Sequence, residues 1–217
     1  MKKIFVLMVL SVMLFSLAIS ASAATVVYID GLPNGEVEKE NPVIGGTEDL
    51  TVNIISAGTM INKVKIGAEY GIGEIENTDL SLWSLKTGYR LVDAKATKLD
   101  GIVAVLNIDT DDGTYKGNLD TILAGFDFTQ YFSERAFLTA SLVYSINGSY
   151  ENSNVFIGKD DDASVNMYRL KFHYLLNENL GLTAGYTKLS YNFVADALGS
   201  VDVAMGGFNV GLVYIFR

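Results

Sequence analysis

The sequence predicts an all-β protein, an antiparallel up-and-down transmembrane β-barrel of ten strands. Long segments alternate apolar and polar residues with a period of two, which is typical of strands that have one apolar face. The chain is 49% hydrophobic, yet beyond its N-terminal segment it has no run of the ~20 apolar residues that a spanning helix needs. A closed sheet in lipid accounts for both observations, because its outer surface is apolar.

The N-terminal segment has the features of a secretory signal peptide. Lys2 and Lys3 precede an apolar stretch over 4–19, and Ala21-Ser22-Ala23 matches an A-x-A cleavage site. We therefore expect a signal peptide over 1–23 and one barrel domain over 24–217. The chain has no cysteine, so no disulfide forms. Its formal net charge of -9 repels phosphates and argues against nucleic acid as a partner.

Ten segments with strand-like alternation follow one another at a spacing of roughly 20 residues. Their predicted ranges are 25–30, 50–57, 61–73, 79–91, 97–108, 119–132, 136–150, 164–176, 179–194 and 207–216. The stretch from Gly31 to Gly46 holds both prolines and is predicted to be a loop. Bacterial barrels have even strand numbers, so an eight-stranded barrel with an N-terminal extension is the alternative.

The connections are predicted to alternate in length. Short turns fall near 132–134 and 177–179, and longer polar loops fall at 109–118, 151–163 and 195–200, as in outer-membrane barrels. Aromatic residues near both sets of strand ends predict two girdles at the membrane interfaces. The residues concerned are Tyr89, Phe132, Tyr174 and Tyr214 near short turns, and Tyr70, Tyr144, Tyr150, Tyr168 and Tyr191 near longer loops.

Two predicted strands change phase along their length. Leu80 and Leu82 fall on the opposite face from Trp83, and Leu182 falls on the opposite face from Leu189. A β-bulge shifts the face by one residue, so we expect a bulge in each of these strands.

Charged side chains on the minor face at mid-strand predict an ion-pair network that fills a narrow lumen. The candidate residues are Lys65, Glu69, Lys86, Arg90, Asp127, Arg169, Lys171 and His173. The same charges could instead line a thin pore for small solutes. A soluble exported barrel that binds an apolar ligand would invert the two faces, and it remains the third alternative.

The end of the chain resembles the C-terminal assembly signal of outer-membrane proteins. Asn209, Gly211, Tyr214 and Phe216 occupy the positions of that pattern, while Arg217 follows the aromatic residue that usually closes the chain. This resemblance implies insertion by the barrel-assembly machinery. The alternating hairpins are similar to those of the small OmpX/Ail-like or OmpA-type barrels, and no motif selects one family.

No set of residues for catalysis, transition-metal binding or cofactor binding is visible. His173 is the single histidine and falls near a short turn, which favours a structural role. Acidic runs occupy predicted loops, where solvated loops or weak Ca²⁺ or Mg²⁺ association are the alternatives. These runs are Glu36, Glu38 and Glu40; Asp109, Asp111 and Asp112; and Asp160, Asp161 and Asp162.

Together these observations predict a barrel in the bacterial outer membrane, in contact with its lipid. We expect a protein without enzymatic activity that serves envelope integrity or surface interaction.

Overall fold

The computed structural model describes residues 25–41, 45–154, 157–195 and 197–216, so the predicted signal peptide and Arg217 lie outside the described residues. Within these ranges, no helix is long and apolar enough to cross a membrane. The strands are β1 Thr25–Glu40, β2 Gly46–Ile61, β3 Val64–Ile75, β4 Thr78–Asp93, β5 Thr97–Asp111, β6 Lys116–Tyr131, β7 Ala136–Asn152, β8 Lys159–Asp160, β9 Ser164–Leu175, β10 Leu180–Ala195 and β11 Gly199–Phe216.

Ten long strands form one closed antiparallel barrel, and the two-residue strand β8 adds only a short pairing to β7. The barrel closes because β1 pairs with β11, with Thr25 opposite Phe216, and because β6 pairs with β7. The predicted ten-stranded barrel is confirmed. The eight-stranded alternative is wrong, because β1 and β2 are full members of the sheet.

The two ends of the barrel carry different connections. The turn end holds the turns 62–63, 94–96, 132–135 and 176–179 together with Thr25 and Phe216. The loop end holds the connections 41–45, 76–77, 112–115, 153–163 and 196–198. The predicted difference in length is smaller than expected, because β5, β6 and β11 continue into the segments predicted to be loops at 109–118 and 195–200.

The prediction of a loop from Gly31 to Gly46 is wrong for most of its length, because β1 continues to Glu40. Pro33 is accommodated at a bulge: the register with β2 shifts between Leu32 and Gly35, and the register with β11 shifts in the same place. Proline has no N–H to donate to a neighbouring strand, so a bulge is where a sheet tolerates it.

The two predicted bulges are also wrong. The pairing of β4 with β5 is continuous from Asp79 to Arg90, and the pairing of β10 with β11 is continuous along all of β10. Register shifts occur instead at Leu91, which is the extra residue between Arg90 and Val92, and at Ile146, which is the extra residue between Ser145 and Asn147.

The phase changes arise because the side chains on one face of a strand change character partway along the barrel. The outward residues are apolar in one part of the strand and polar in the other, and the inward residues change in the opposite sense. In β4, Lys86 points into the lumen beside the exposed, outward-facing Leu85, whereas six residues earlier Leu80 points into the lumen beside the exposed Asp79. We call the part with the apolar outside the turn half and the part with the polar outside the loop half. The same exchange occurs in β2, where Thr51 and Ala57 both face outward.

Strand length explains this exchange. A strand of 16 residues such as β4 spans roughly 50 Å at ~3.3 Å per residue, whereas the apolar band of an outer-membrane barrel is only ~25 Å tall. Because the strands of such barrels are tilted, about 9–11 residues are enough to cross this band, and a 16-residue strand is about one and a half times as long as the band requires. The loop half has the pattern of a water-exposed barrel, with polar residues outside and apolar residues inside.

Candidate functional site

The lumen of the turn half holds a layer of paired charges. Arg169 on β9 donates from Nη1 and Nη2 to the two carboxylate oxygens of Glu69 on β3, at 2.7 and 2.9 Å. The two side chains are 17% and 14% exposed. Because both groups are largely shielded from water and joined by two hydrogen bonds, this is the most complete ion pair in the layer.

A second group of charges centres on Asp127. Its Oδ2 atom accepts hydrogen bonds from Lys65 at 2.6 Å and from Lys86 at 2.8 Å. Lys65 also lies 3.5 Å from Asp100, which pairs with Arg90. Asp100 was not among the predicted site residues, because it shares its face of β5 with the apolar residues Ile102 to Ile108.

The third pair joins Lys171 to Asp30 at 2.5 Å. Asp30 was also missed, since it stands at the end of the strand predicted over 25–30. The other carboxylate oxygen of Asp30 has no protein partner in the described part of the chain. The Lys171 ammonium lies 5.8 Å from the centre of the Tyr28 ring.

His173 belongs to a small cluster that fills the lumen at the turn end. Its ring stacks on Phe137 with centroids 4.4 Å apart, and Nε2 lies 2.9 Å from Thr139 Oγ1. Leu175 and Val213 are buried beside Phe137. The imidazole is fully buried, so it is inaccessible to an external substrate.

The lumen of the loop half is filled by an apolar plug to which every long strand contributes. Its most buried side chains include Val37, Leu119, Leu123, Val143 and Val165, each at most 2% exposed. Side chains that point into a lumen and yet touch almost no water leave no aqueous path beside them. The plug therefore closes the barrel between the charged layer and the loop end.

Two predicted girdle residues lie in this plug. The Tyr150 ring stacks on Phe193 with centroids 4.0 Å apart, and Tyr191 lies 6.2 Å from the Tyr150 ring. The prediction for these two tyrosines is wrong, because Ile146 is a bulge that turns Tyr150 into the lumen, and because β10 exchanges its faces before Tyr191.

The aromatic residues that do face outward on this side stand at mid-strand. The Tyr144 and Tyr168 hydroxyls are 3.3 Å apart, and both rings are exposed. Trp83 and Tyr186 are also exposed, at positions where the outward residues change from apolar to polar. At the turn end, Tyr89, Phe132, Tyr174 and Tyr214 are exposed.

The residues of the C-terminal pattern divide between the two faces of β11. Asn209 is buried in the lumen and donates to Thr187 Oγ1 at 2.9 Å, whereas Tyr214 and Phe216 face outward with ring centroids 4.6 Å apart. A Cβ atom at Gly211 would lie 2.2 Å from the Ile29 carbonyl oxygen, so the seam with β1 requires glycine there.

The acidic runs are not arranged as cation sites. Glu36, Glu38 and Glu40 are exposed along β1 rather than in a loop. Asp112 accepts hydrogen bonds from the backbone N–H groups of Tyr115 and Thr114, which hold the pKa of its carboxyl below the ordinary value. Among the described residues, no three His, Cys, Asp or Glu side chains converge to hold a metal ion.

Exposed carboxylates nevertheless surround the loop half. They face outward from most strands, above the aromatic residues at mid-strand. We call this group the acidic collar: Glu36, Glu38, Glu40, Asp49, Glu74, Asp79, Asp109, Asp120, Glu151 and Asp202.

Comparison with solved structures supports this fold. The outer membrane protease OmpT from Escherichia coli aligns with a TM-score of 0.62 at 9% identity, over 91% of this chain and 98% of that chain. Neisserial surface protein A gives 0.40 at 16% identity, over 88% and 97%. Ail, the attachment invasion locus protein of Yersinia pestis, gives 0.39 at 10% identity, over 89% and 99%.

Identities this low show a shared fold alone, and of these three structures OmpT is the one whose TM-score exceeds 0.5. No protein-family model matches the sequence, and no curated protein is similar to it. The chain has the fold of outer-membrane β-barrels.

Proposed function

We propose that this protein is a closed, non-conducting barrel of the bacterial outer membrane, without enzymatic activity, that serves envelope integrity or surface interaction. The observation that carries the proposal is the exchange of faces along the strands. The apolar outside of the turn half fits a bilayer, and the polar outside of the loop half fits the cell surface. The acidic collar is then the part of the protein that is available to partners.

The direction of insertion follows from the two ends. Chain termini and short turns lie at the periplasmic side of outer-membrane barrels, so the loop end faces outward. The predicted signal peptide and the C-terminal pattern of Asn209, Gly211, Tyr214 and Phe216 support export and insertion by the barrel-assembly machinery.

The absence of enzymatic activity is supported by the position of the titratable groups. His173 is stacked against Phe137 at the turn end, away from the acidic collar. The lumen carboxylates Glu69, Asp100 and Asp127 are each bonded to a cation and lie beneath the plug. A nucleophile, a base and an acid that share one accessible site are not found among the described residues. The name of OmpT describes that protease, and the likeness to it is one of fold.

The plug also argues against the alternative of a small-solute channel. Lys65 and Lys86 are about a quarter exposed, which leaves room for water around the charged layer. Leu119, Leu123 and Val143 then separate this layer from the loop end. We expect the barrel to hold internal water without conducting ions.

Two measurements test the proposal. Fractionation followed by electrophoresis with and without boiling should give a membrane-bound band whose mobility shifts on boiling. The purified barrel in planar bilayers should then show no conductance. A soluble band without a shift would contradict the membrane location and favour a soluble barrel with an apolar ligand. Steady conductance would contradict the plug and favour the channel.

A further inference from the structure

An apolar groove crosses the outer surface of the turn half. It is lined by side chains of β3 to β7 and has a volume of about 730 Å³, within the range of small-molecule sites. Tyr89 and Phe126 form its walls, and Gly101, which pairs directly with both of them, forms its floor. Val64 and Leu142 continue the same row at its two sides.

The groove exists because a glycine stands between two aromatic residues on a surface otherwise covered by large side chains. In the adjacent row, the small side chains of Thr87 and Ala124 extend the floor. The lining is mostly apolar, so the groove fits a hydrocarbon chain better than a polar ligand.

Cationic side chains lie on the short turns of the hairpins that build the groove. Lys63 directly precedes Val64, Lys95 lies in the turn between β4 and β5, and Arg135 lies in the turn between β6 and β7. All three are exposed. Glu134 lies beside Arg135, so the three turns together keep a net positive charge, whereas the fourth turn of this end, 176–179, carries Glu178 and no cation.

These three cations differ from most others in the protein. In the described ranges, the lumen and loop lysines and arginines have carboxylate partners, whereas Lys63, Lys95 and Arg135 form no ion pair; Lys188 on β10 is the other such residue. Positive charge without an internal partner is therefore concentrated beneath the groove.

We propose that the groove holds one acyl chain of a glycerophospholipid from the periplasmic leaflet, and that Lys63, with Lys95 and Arg135 on the adjoining turns, binds its phosphate. The inference rests on the proposed membrane location. Lysine and arginine are good phosphate ligands, and their long stems let the charged groups reach the headgroup level. A phospholipid has a hydrocarbon chain for the groove and a phosphate for the cationic turns. Its phosphate lies at the membrane interface and its chain extends into the bilayer interior, as the turns and the groove are placed.

A second copy of the chain fits the groove less well. In a symmetric dimer the same patch faces itself, so the turn cations of one copy would approach those of the other. A lipid phosphate neutralises these charges instead.

The test measures which lipid stays with the barrel. Folded protein is placed in nanodiscs that contain equal amounts of phosphatidylglycerol and phosphatidylcholine, released by detergent, and weighed by native mass spectrometry. We expect one retained phospholipid, with phosphatidylglycerol preferred. Gly101→Leu should abolish retention, because its side chain would occupy the floor; a Cβ atom there meets only Leu91, whose Cδ1 atom lies 3.3 Å away.

Ala124→Leu fills the same floor from β6 and serves if Gly101→Leu does not fold. Ala184→Leu adds the same bulk to the outer face of β10, away from the groove, and should retain lipid. Lys63→Gln should lower the preference for phosphatidylglycerol about fivefold, as expected for one cation near an anionic headgroup. Lys188→Gln is the matched control and should leave the preference unchanged.

The outcomes separate the two proposals. If the unmodified protein does not insert into nanodiscs or shows no mobility shift on boiling, the membrane location fails. If it inserts but retains no lipid, retains a second protein copy, or retains lipid equally in Gly101→Leu, Ala124→Leu and Ala184→Leu, the groove site fails alone.

Discussion

Arg169 and Glu69 join opposite walls of the barrel. They lie on β9 and β3, five strands apart in either direction around the ring of ten, and are separated by 100 residues in the chain. The bidentate pair therefore acts across the diameter of the lumen, whereas Lys65–Asp127 and Lys171–Asp30 join strands that are closer in the ring. We expect this contact to hold the two walls at a fixed distance.

Glu69→Gln should destabilise the folded barrel by about 3–5 kcal/mol, because it leaves the Arg169 charge largely buried without its counter-ion. Urea unfolding in lipid vesicles measures the effect. Lys116→Gln removes an exposed loop pair and should cost less than about 1 kcal/mol. Equal losses in the two variants would mean that the pair across the lumen contributes no more than a surface contact.

A cavity made in the apolar plug should destabilise the folded barrel. Leu123→Ala should reduce the free energy of unfolding by about 2–5 kcal/mol, because Leu123 is 1% exposed and its neighbours cannot all close the gap. Leu85→Ala truncates an outward side chain of the apolar belt, where lipid fills the space, and should cost less in the same unfolding measurement. A larger loss for Leu85→Ala would show that the two faces have been assigned the wrong way round.

The absence of cysteine allows the edge of the bilayer to be mapped one residue at a time. Thr51 and Ala57 both face outward on β2, the first in the loop half and the second in the turn half. In intact cells, a membrane-impermeant maleimide should label Thr51→Cys and leave Ala57→Cys unlabelled. Protection of both positions would mean that the bilayer covers the loop half as well.

Closure of the barrel between β6 and β7 should depend on Gly125. A Cβ atom there would lie 1.9 Å from the Leu142 carbonyl oxygen, so even alanine forces the two backbones apart. We expect Gly125→Ala to reduce the fraction of protein with the compact mobility of unboiled barrels. Gly46→Ala is the control, since its added Cβ meets no atom within 4 Å. Normal folding of both variants would contradict the close approach.

The sequence is sufficient to predict ten strands, because the strands keep a period of two over most of their length and each long strand pairs with the next in the chain. The sequence is less informative about which side chains of a strand point into the lumen and which point outward. The alternation of β4 is regular from Asp79 to Arg90, and the apparent error of phase at Leu82 and Trp83 marks the position at which the outward side chains change from polar to apolar. A single-face interpretation of each strand cannot represent that boundary.

The sequence analysis missed the bulge at Ile146 and the lumen carboxylates of Asp30 and Asp100 for related reasons. Ile146 is one apolar residue among others, and nothing in its sequence environment distinguishes a bulge from regular alternation. Asp30 acquires meaning only from Lys171, which approaches from a strand that is not its neighbour in the ring. Asp100 pairs with Arg90 across the β4–β5 hairpin, but the other residues on its face of β5 are apolar and give no sign of a charged partner. Pairing across a lumen depends on register and diameter, which are properties of the closed barrel.

The seam between β1 and β11 has a consequence for biogenesis. Thr25 and Phe216 are paired although they lie at opposite ends of the described chain, so ring closure has to wait until the last strand has been made. Until then, the backbone hydrogen-bonding groups along the outer edge of β1 have no partner strand. Contacts between residues this distant in sequence also form slowly. For a chain exported as proposed, we expect a holding chaperone to shield these groups in the periplasm, and a product that stops before Gly199 would remain an open sheet with two unpaired edge strands.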